Sequence, residues 1–222
     1  MTISALLTCT GLGASYEGRK VFEAVSFRYP AGVHALIGAN GIGKSTLLRV
    51  LAGAQAADEG EVSIVGRSLT REPREARQCL GFAPAESSIY PFMTGEELLH
   101  LLGAAKRTGI DALVEGLVDD FGLRPHLSKR FDALSLGTQK KIMLCAAWIG
   151  APKVVILDEP GNGLDPGSRD RLVDLVLLWG RENMVLFATH DLDFAAACRA
   201  TITDMALLCD QAGEPSLTSA AE

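Results

Sequence analysis

Two short stretches carry the residue types that phosphate chemistry needs. The first, GANGIGKST over residues 38–46, fits the spacing G-x-x-x-x-G-K-[ST]. Gly38, Gly41 and Gly43 let the backbone turn so that successive N–H groups, those of Ala39, Asn40 and Ile42 among them, point at phosphate oxygens. The helix expected to follow adds the positive end of its dipole. Lys44 would reach the terminal phosphates, the Ser45 hydroxyl would ligate Mg²⁺, and Thr46 would touch an inner phosphate. The plainer alternative is a glycine-rich turn before an ordinary helix. The apolar run VHALI before the loop and the helix-period run after it are the context that favours nucleotide binding.

The second stretch, VVILDEP (154–160), sets two carboxylates after four apolar residues. That is the C-terminal end of a buried strand, where open α/β sheets bind ligands. Asp158 would hold Mg²⁺ through water, and Glu159 would polarise an attacking water as general base. A lone aspartate there would read as a capped strand end; an adjacent acidic pair, in a chain that also carries a phosphate loop, reads as catalytic. A third stretch, LSLGTQKK (134–141), has no nucleophile, no base and no metal-ligand pair. Ser135 and Gly137 stand where a helix begins and backbone N–H groups are unpaired, so it is either a simple helix start or half of an anion site.

These stretches need elements to position them. Val25, Phe27 and Tyr29 share one face of a period-2 segment, and EVSIVG (61–66) is a further strand candidate. In STLLRVLAG, Leu47, Leu48 and Leu51 recur at helical spacing and Gly53 supplies a stop. VVIL (154–157) and MVLFA (184–188) are apolar throughout, as strands buried on both faces must be. Thr94 and Glu97 form a capping box ahead of LLHLLGAAK, and DALVEGLVDDFGL continues at helical spacing. The expectation is an α/β chain of strands and crossover helices around a helix-rich insertion.

At 222 residues, 48% apolar and 22% charged, the chain can bury a sizeable core. A formal charge of −6, with no run of five basic residues, argues against nucleic acid as a partner. Five scattered cysteines without a CxxC pair read as reduced thiols of a cytosolic protein. No basic stretch precedes an apolar N-terminal run, and no apolar run approaches the roughly 20 residues of a membrane span. Any membrane role is therefore expected through a partner.

The order of parts resembles the nucleotide-binding subunit of ABC transporters over nearly the whole chain. Tyr16, GANGIGKST, LSLGT, LDEP, NGLDP and ATHD follow one another as they do in that family. The resemblance implies a P-loop NTPase core (1–84 and 146–210) with a mainly parallel sheet and an N-terminal antiparallel β subdomain. It also implies a helical subdomain (85–145) and a flexible tail (211–222). Tyr16 would stack on adenine, though a strand-edge tyrosine is the bland alternative. His190 would contact the γ-phosphate, and Asp165 would help join two subunits, unless it serves only as a helix N-cap. Two subunits would meet head to tail around ATP and Mg²⁺, each placing its Ser135 and Gly137 against the nucleotide of the other. The pair would sit on the inner face of the cell membrane through a polytopic membrane subunit. The wording of NGLDP and LSLGT is most like the exporter-type branch.

The sequence departs from the family pattern in places. Leu136 and Thr138 stand where glycine and often glutamine are usual. Ala85, in LGFAPAESSIYP, occupies the position of a glutamine that coordinates Mg²⁺ and water. Glu86 could substitute, water could fill the gap at reduced rate, or hydrolysis could be feeble; slow but real hydrolysis is the favoured expectation. Tyr90, Pro91, Phe92 and Met93 would meet the membrane subunit, or else belong to the helical core. The competing functions are a soluble ABC-type ATPase, such as a factor for iron–sulfur cluster assembly, and an ATP-gated regulatory subunit.

Overall fold

The computed structural model describes residues 4–16, 18–86 and 91–210. The chain opens with two long strands, β1 (Leu7–Tyr16) and β2 (Arg19–Tyr29), then β3 (Gly32–Ile37) and helix α1 (Lys44–Leu51). Strands β4 (Glu59–Ile64) and β5 (Arg67–Ser68), helix α2 (Pro73–Gln78) and β6 (Leu80–Ala83) follow. Helices α3 (Gly95–Ala105), α4 (Ala112–Asp120) and α5 (Leu136–Ala147) come next without an intervening strand. The chain then alternates: β7 (Val154–Asp158), α6 (Pro166–Trp179), β8 (Met184–Ala188), α7 (Leu192–Ala197), β9 (Thr201–Asp204) and α8 (Met205–Asp210).

Two sheets result. An antiparallel sheet runs β2-β1-β4-β5, and a parallel sheet runs β6-β7-β8-β3-β9. The all-apolar runs explain the second. In β7, Val155 and Leu157 enter one core with α3 to α7, while Val154 and Ile156 enter another with α1 and the antiparallel sheet. Strand β8 divides the same way, with Val185 and Phe187 on one side and Met184, Leu186 and Ala188 on the other. Side chains of period 2 between two covering layers leave no face for a polar residue. On β2, by contrast, Val25, Phe27 and Tyr29 are buried while Arg28 is exposed, as one covered face requires.

Helix ends follow their local chemistry. The Thr94 hydroxyl accepts from the Glu97 N–H at 3.1 Å, and the Glu97 carboxylate accepts from the Thr94 N–H at 2.8 Å, so the capping box is formed. Asp111, Ser135, Asp165 and Asp191 cap α4, α5, α6 and α7 more simply, each side chain accepting the N–H three residues on. Gly53, at φ 66°, follows the end of α1 in the left-handed conformation that closes helices. The expected tail, 211–222, lies outside the described residues.

Candidate nucleotide site

The phosphate loop connects β3 to α1 at the C-terminal edge of the parallel sheet. Gly43 is the N-cap of α1 at φ 108° and offers no side-chain cap, so the first N–H groups of α1 lack the usual internal acceptor. A side chain at Gly43 is excluded by packing as well as by φ: a Cβ there would lie 2.5 Å from Val21 Cγ1. At Gly38, at φ 146°, a Cβ would meet Ile42 and Met205 at 3.2 and 3.3 Å. Lys44 is buried and donates back to the carbonyls of Gly38 and Ala39 at 2.7 and 3.1 Å. The ammonium thus rests on loop carbonyls at the head of α1, while the Ile42 N–H, expected on a phosphate, is turned back onto Ala39 O at 3.3 Å. Asn40 and Gly41 are exposed at the tip of this loop, and Thr46 follows Ser45 in the first turn of α1.

Backbone bonding brings the neighbouring strand ends to the same level. Thr189 N donates to Leu36 O at 3.1 Å, and Glu159 N donates to Ala188 O at 2.9 Å. The side chains of Asp158, Glu159 and His190 thus share one edge with the loop. Asp158 is buried, and its Oδ1 has no hydrogen-bond partner. Burial raises its pKa, an effect the Ser45 hydroxyl bonded to it partly offsets. A buried carboxylate oxygen left open beside a serine hydroxyl suits a hard divalent cation such as Mg²⁺.

Glu159 has a backbone φ of 48°, which costs a non-glycine residue roughly 1–3 kcal/mol and clusters at functional sites. Its carboxylate is oriented from three sides. His190 Nδ1 lies 3.1 Å from both oxygens, Thr189 Oγ1 donates at 3.3 Å, and Asn162 Nδ2 donates at 3.2 Å. A general base fixed in this way, on a cleft edge and still partly exposed, can take a proton from water.

Three contacts join the start of α5 to the segment 159–165. The Lys140 ammonium donates to the Glu159 carbonyl, and Lys141 pairs with Asp165 at 2.5 Å. A Cβ at Gly137 would stand 3.0 Å from Gly163 O. That approach is why glycine stands at 137, whereas Leu136 is 82% exposed and meets no such limit. Burial lowers the pKa of Lys140, against the attraction of Glu159 and Asp158. Asp165 is held well below the usual carboxylate range, first by Lys141 and then by the N–H and hydroxyl of Ser168.

Not every candidate residue joins the cluster. Ser135 is exposed and turns back on its own helix, its Oγ 2.9 Å from Thr138 Oγ1. Tyr16 is 56% exposed at the end of β1 and pairs with Arg19, three residues before the Phe22 that packs near Gly43. Ala85 is exposed two residues past Ala83, the last residue of β6 to pair with β7 (with Leu157), and its methyl has nothing to donate. Pro91 and Phe92 are exposed, whereas Met93 is half-buried against the helical core. Tyr90 lies outside the described residues. Sequence reasoning missed Val21, Thr189, Asn162, Lys140 and Lys141; only the double lysine after the serine–glycine pair hinted at the last two.

Comparison with known proteins follows the same lines. The family model described as ABC transporter matches residues 22–162. The chain is 32% identical over 198 residues to ATP-binding cassette sub-family A member 13 of Homo sapiens, covering 86% of this chain and 4% of that protein. It therefore spans a small fraction of that relative's length. Among solved structures, an ATP-binding subunit of an ABC transporter superposes with TM-score 0.78 at 28% identity, over 90% of this chain and 85% of that one. The dimeric post-hydrolysis state of the ATP-binding cassette MJ0796, bound to ADP and Pi, superposes with TM-score 0.74 at 19% identity. That alignment covers 86% of this chain and 90% of the other, and it shows a shared fold.

Proposed function

The chain belongs to the ABC transporter family, and from that premise we propose that it is an ATP-binding subunit that hydrolyses ATP to drive a separate membrane subunit. The observation that carries this reading is the open, buried Asp158 oxygen beside Ser45, one residue from a Glu159 gripped by His190, Thr189 and Asn162. Lys44 and the loop N–H groups bind the phosphates. Ser45 and Asp158 would hold Mg²⁺, which when bound neutralises charge on the β- and γ-phosphate oxygens. Glu159 accepts a proton from a water that attacks the γ-phosphorus; the bond from that phosphorus to the bridging oxygen breaks, and ADP leaves with the electron pair. His190 orients Glu159 and the γ-phosphate side of the site. Tyr16 stacks on the base.

The exposed Ser135 and the N-terminus of α5 complete the site of a second subunit, arranged head to tail. The dimeric state of the MJ0796 cassette supports a two-subunit assembly, and the likeness to a solved ATP-binding subunit of an ABC transporter, 85% covered by this chain, supports a separate membrane partner. Among the described residues no helix is long and apolar enough to cross a membrane, in keeping with peripheral attachment at the inner face through that partner. Exposed Pro91 and Phe92 would lie at that contact. Ala85 favours slow turnover, because its methyl can neither donate to nor accept from a water.

Glu159→Gln is the decisive test. Hydrolysis should fall by about 10²- to 10⁴-fold, and an ATP-bound dimer absent from wild type should accumulate on size exclusion. An unchanged dimer population, with wild type already inert, would favour an ATP-gated regulator. Gentle detergent purification should bring a polytopic membrane protein with the chain; a clean soluble dimer would favour an ATPase without a transport role.

A further inference from the structure

Resting on the head-to-tail arrangement proposed above, we infer that Lys140 is a positioning residue through which a nucleotide bound by the partner subunit sets Glu159 in this subunit's own site. The helix start that faces the partner and the catalytic strand end belong to different segments of one chain. Lys140 is the side chain that spans them at the catalytic end. It lies five residues after Ser135, about 7.5 Å along α5, and its ammonium donates to the main-chain carbonyl of Glu159.

That carbonyl belongs to the residue at φ 48°, a conformation its surroundings must impose. The N–H of Glu159 is fixed by β8, through Ala188 O, and its carbonyl takes two donors, Asn162 N at 3.2 Å from its own turn and the Lys140 ammonium from α5. These backbone grips fix the position from which the Glu159 side chain reaches His190, Thr189 and Asn162. Further along the same segment, Lys141 holds Asp165 and Gly137 closes on Gly163 O, so α5 and residues 159–165 form one packed unit. A nucleotide phosphate seated on Ser135 and Gly137 would load the head of a helix whose next turn grips the catalytic backbone. Half-buried Lys140 also feels the charges of Glu159 and Asp158, and it shares the field at Asp158 with Arg49.

The test uses the full chain. Steady-state hydrolysis is measured against ATP and against protein concentration for wild type, Lys140→Met and Lys140→Arg, with ATP binding and thermal unfolding in parallel. Lys140→Met should lower kcat about tenfold, leave KM within about twofold, and bring the Hill coefficient for ATP down toward one. Lys140→Arg, which keeps charge and donor, should restore most of both. Should Lys140→Met not fold, Lys140→Gln carries the same comparison. An unchanged kcat and Hill coefficient in the uncharged variant overturns the inference while leaving the proposed function intact. So does an arginine variant as poor as the methionine one. A wild-type rate strictly first-order in protein, with no cooperativity, removes the head-to-tail arrangement and the inference with it.

Discussion

At the head of α1, Lys44 is buried, the loop backbone is packed against β2 and α8, and the Asp158 carboxylate closes on Ser45. At the head of α5, Ser135 is exposed, Leu136 is 82% exposed, and the serine hydroxyl bonds only within its own first turn among the contacts described. Both are helix starts with glycine and a hydroxyl, and both present unpaired N–H groups. On the proposed reading, one is finished by its own chain and the other by a second subunit. The difference teaches that similar local chemistry can be a whole site or half of one, and that burial of the surroundings tells which. A site completed internally tolerates no added Cβ at Gly43; the unfinished one carries a leucine in the open beside a single restricted glycine.

The strongest way to break this comparison is Ser135→Arg. On the present reading the arginine blocks only the shared half, so hydrolysis should fall by about 10²-fold or more. Binding of a fluorescent ATP analogue, supported by Lys44 and the loop, should stay within a few-fold of wild type. Loss of binding together with hydrolysis would mean that the start of α5 holds up the fold of its own chain instead.

A smaller effect sharpens the finished half. Ala85 lies two residues beyond the Ala83–Leu157 pair, and its side chain offers no donor or acceptor. Ala85→Gln should raise kcat by roughly three- to tenfold, measured by phosphate release, because a positioned amide can orient water. If the parent already turns over as fast as its glutamine variant, the slow-turnover expectation is wrong and the gap at 85 is filled some other way.

How much of this could be read beforehand follows the range of the contacts. The phosphate loop, the acidic pair, the Thr94 capping box and the Asp165 N-cap depend on residues within a few positions of one another, and their spacing alone identifies them. The apolar runs of β7 and β8 announce burial on both faces, but not the order β6-β7-β8-β3-β9, which is set by packing across the sheet. Lys140 and Lys141 look like a solvated helix face in sequence. Their partners lie 19 and 24 residues away, across a turn whose course no local pattern dictates. Met93 and Phe92 illustrate the same limit: adjacent in sequence, one packs into the helical core and the other is 62% exposed.

The mildest perturbation concerns what anchors the unfinished half. The far end of α5 is tied down by Lys106, whose ammonium donates to Leu80 O at 2.7 Å and to Ile149 O at 2.8 Å. Burial pushes its pKa down to about 8. Since the folded value lies below the ordinary 10.5, the unfolded chain binds more protons between the two. This group's contribution to stability therefore rises with pH from about 8 toward 10.5 and is flat below. The buried thiols Cys9, Cys145 and Cys198 work in the opposite sense, because burial raises their pKa values and the folded state keeps their protons. The raw pH profile mixes the two effects, and the difference between wild type and Lys106→Met separates them. That difference, from urea unfolding, should shift in favour of wild type by on the order of 1 kcal/mol between pH 7 and 9. Hydrolysis by Lys106→Met at pH 7 should stay within about twofold of wild type, because apolar packing of α5 would still hold Ser135 in place. A larger loss would make the Lys106 bonds, and not that packing, the support of the exposed half-site.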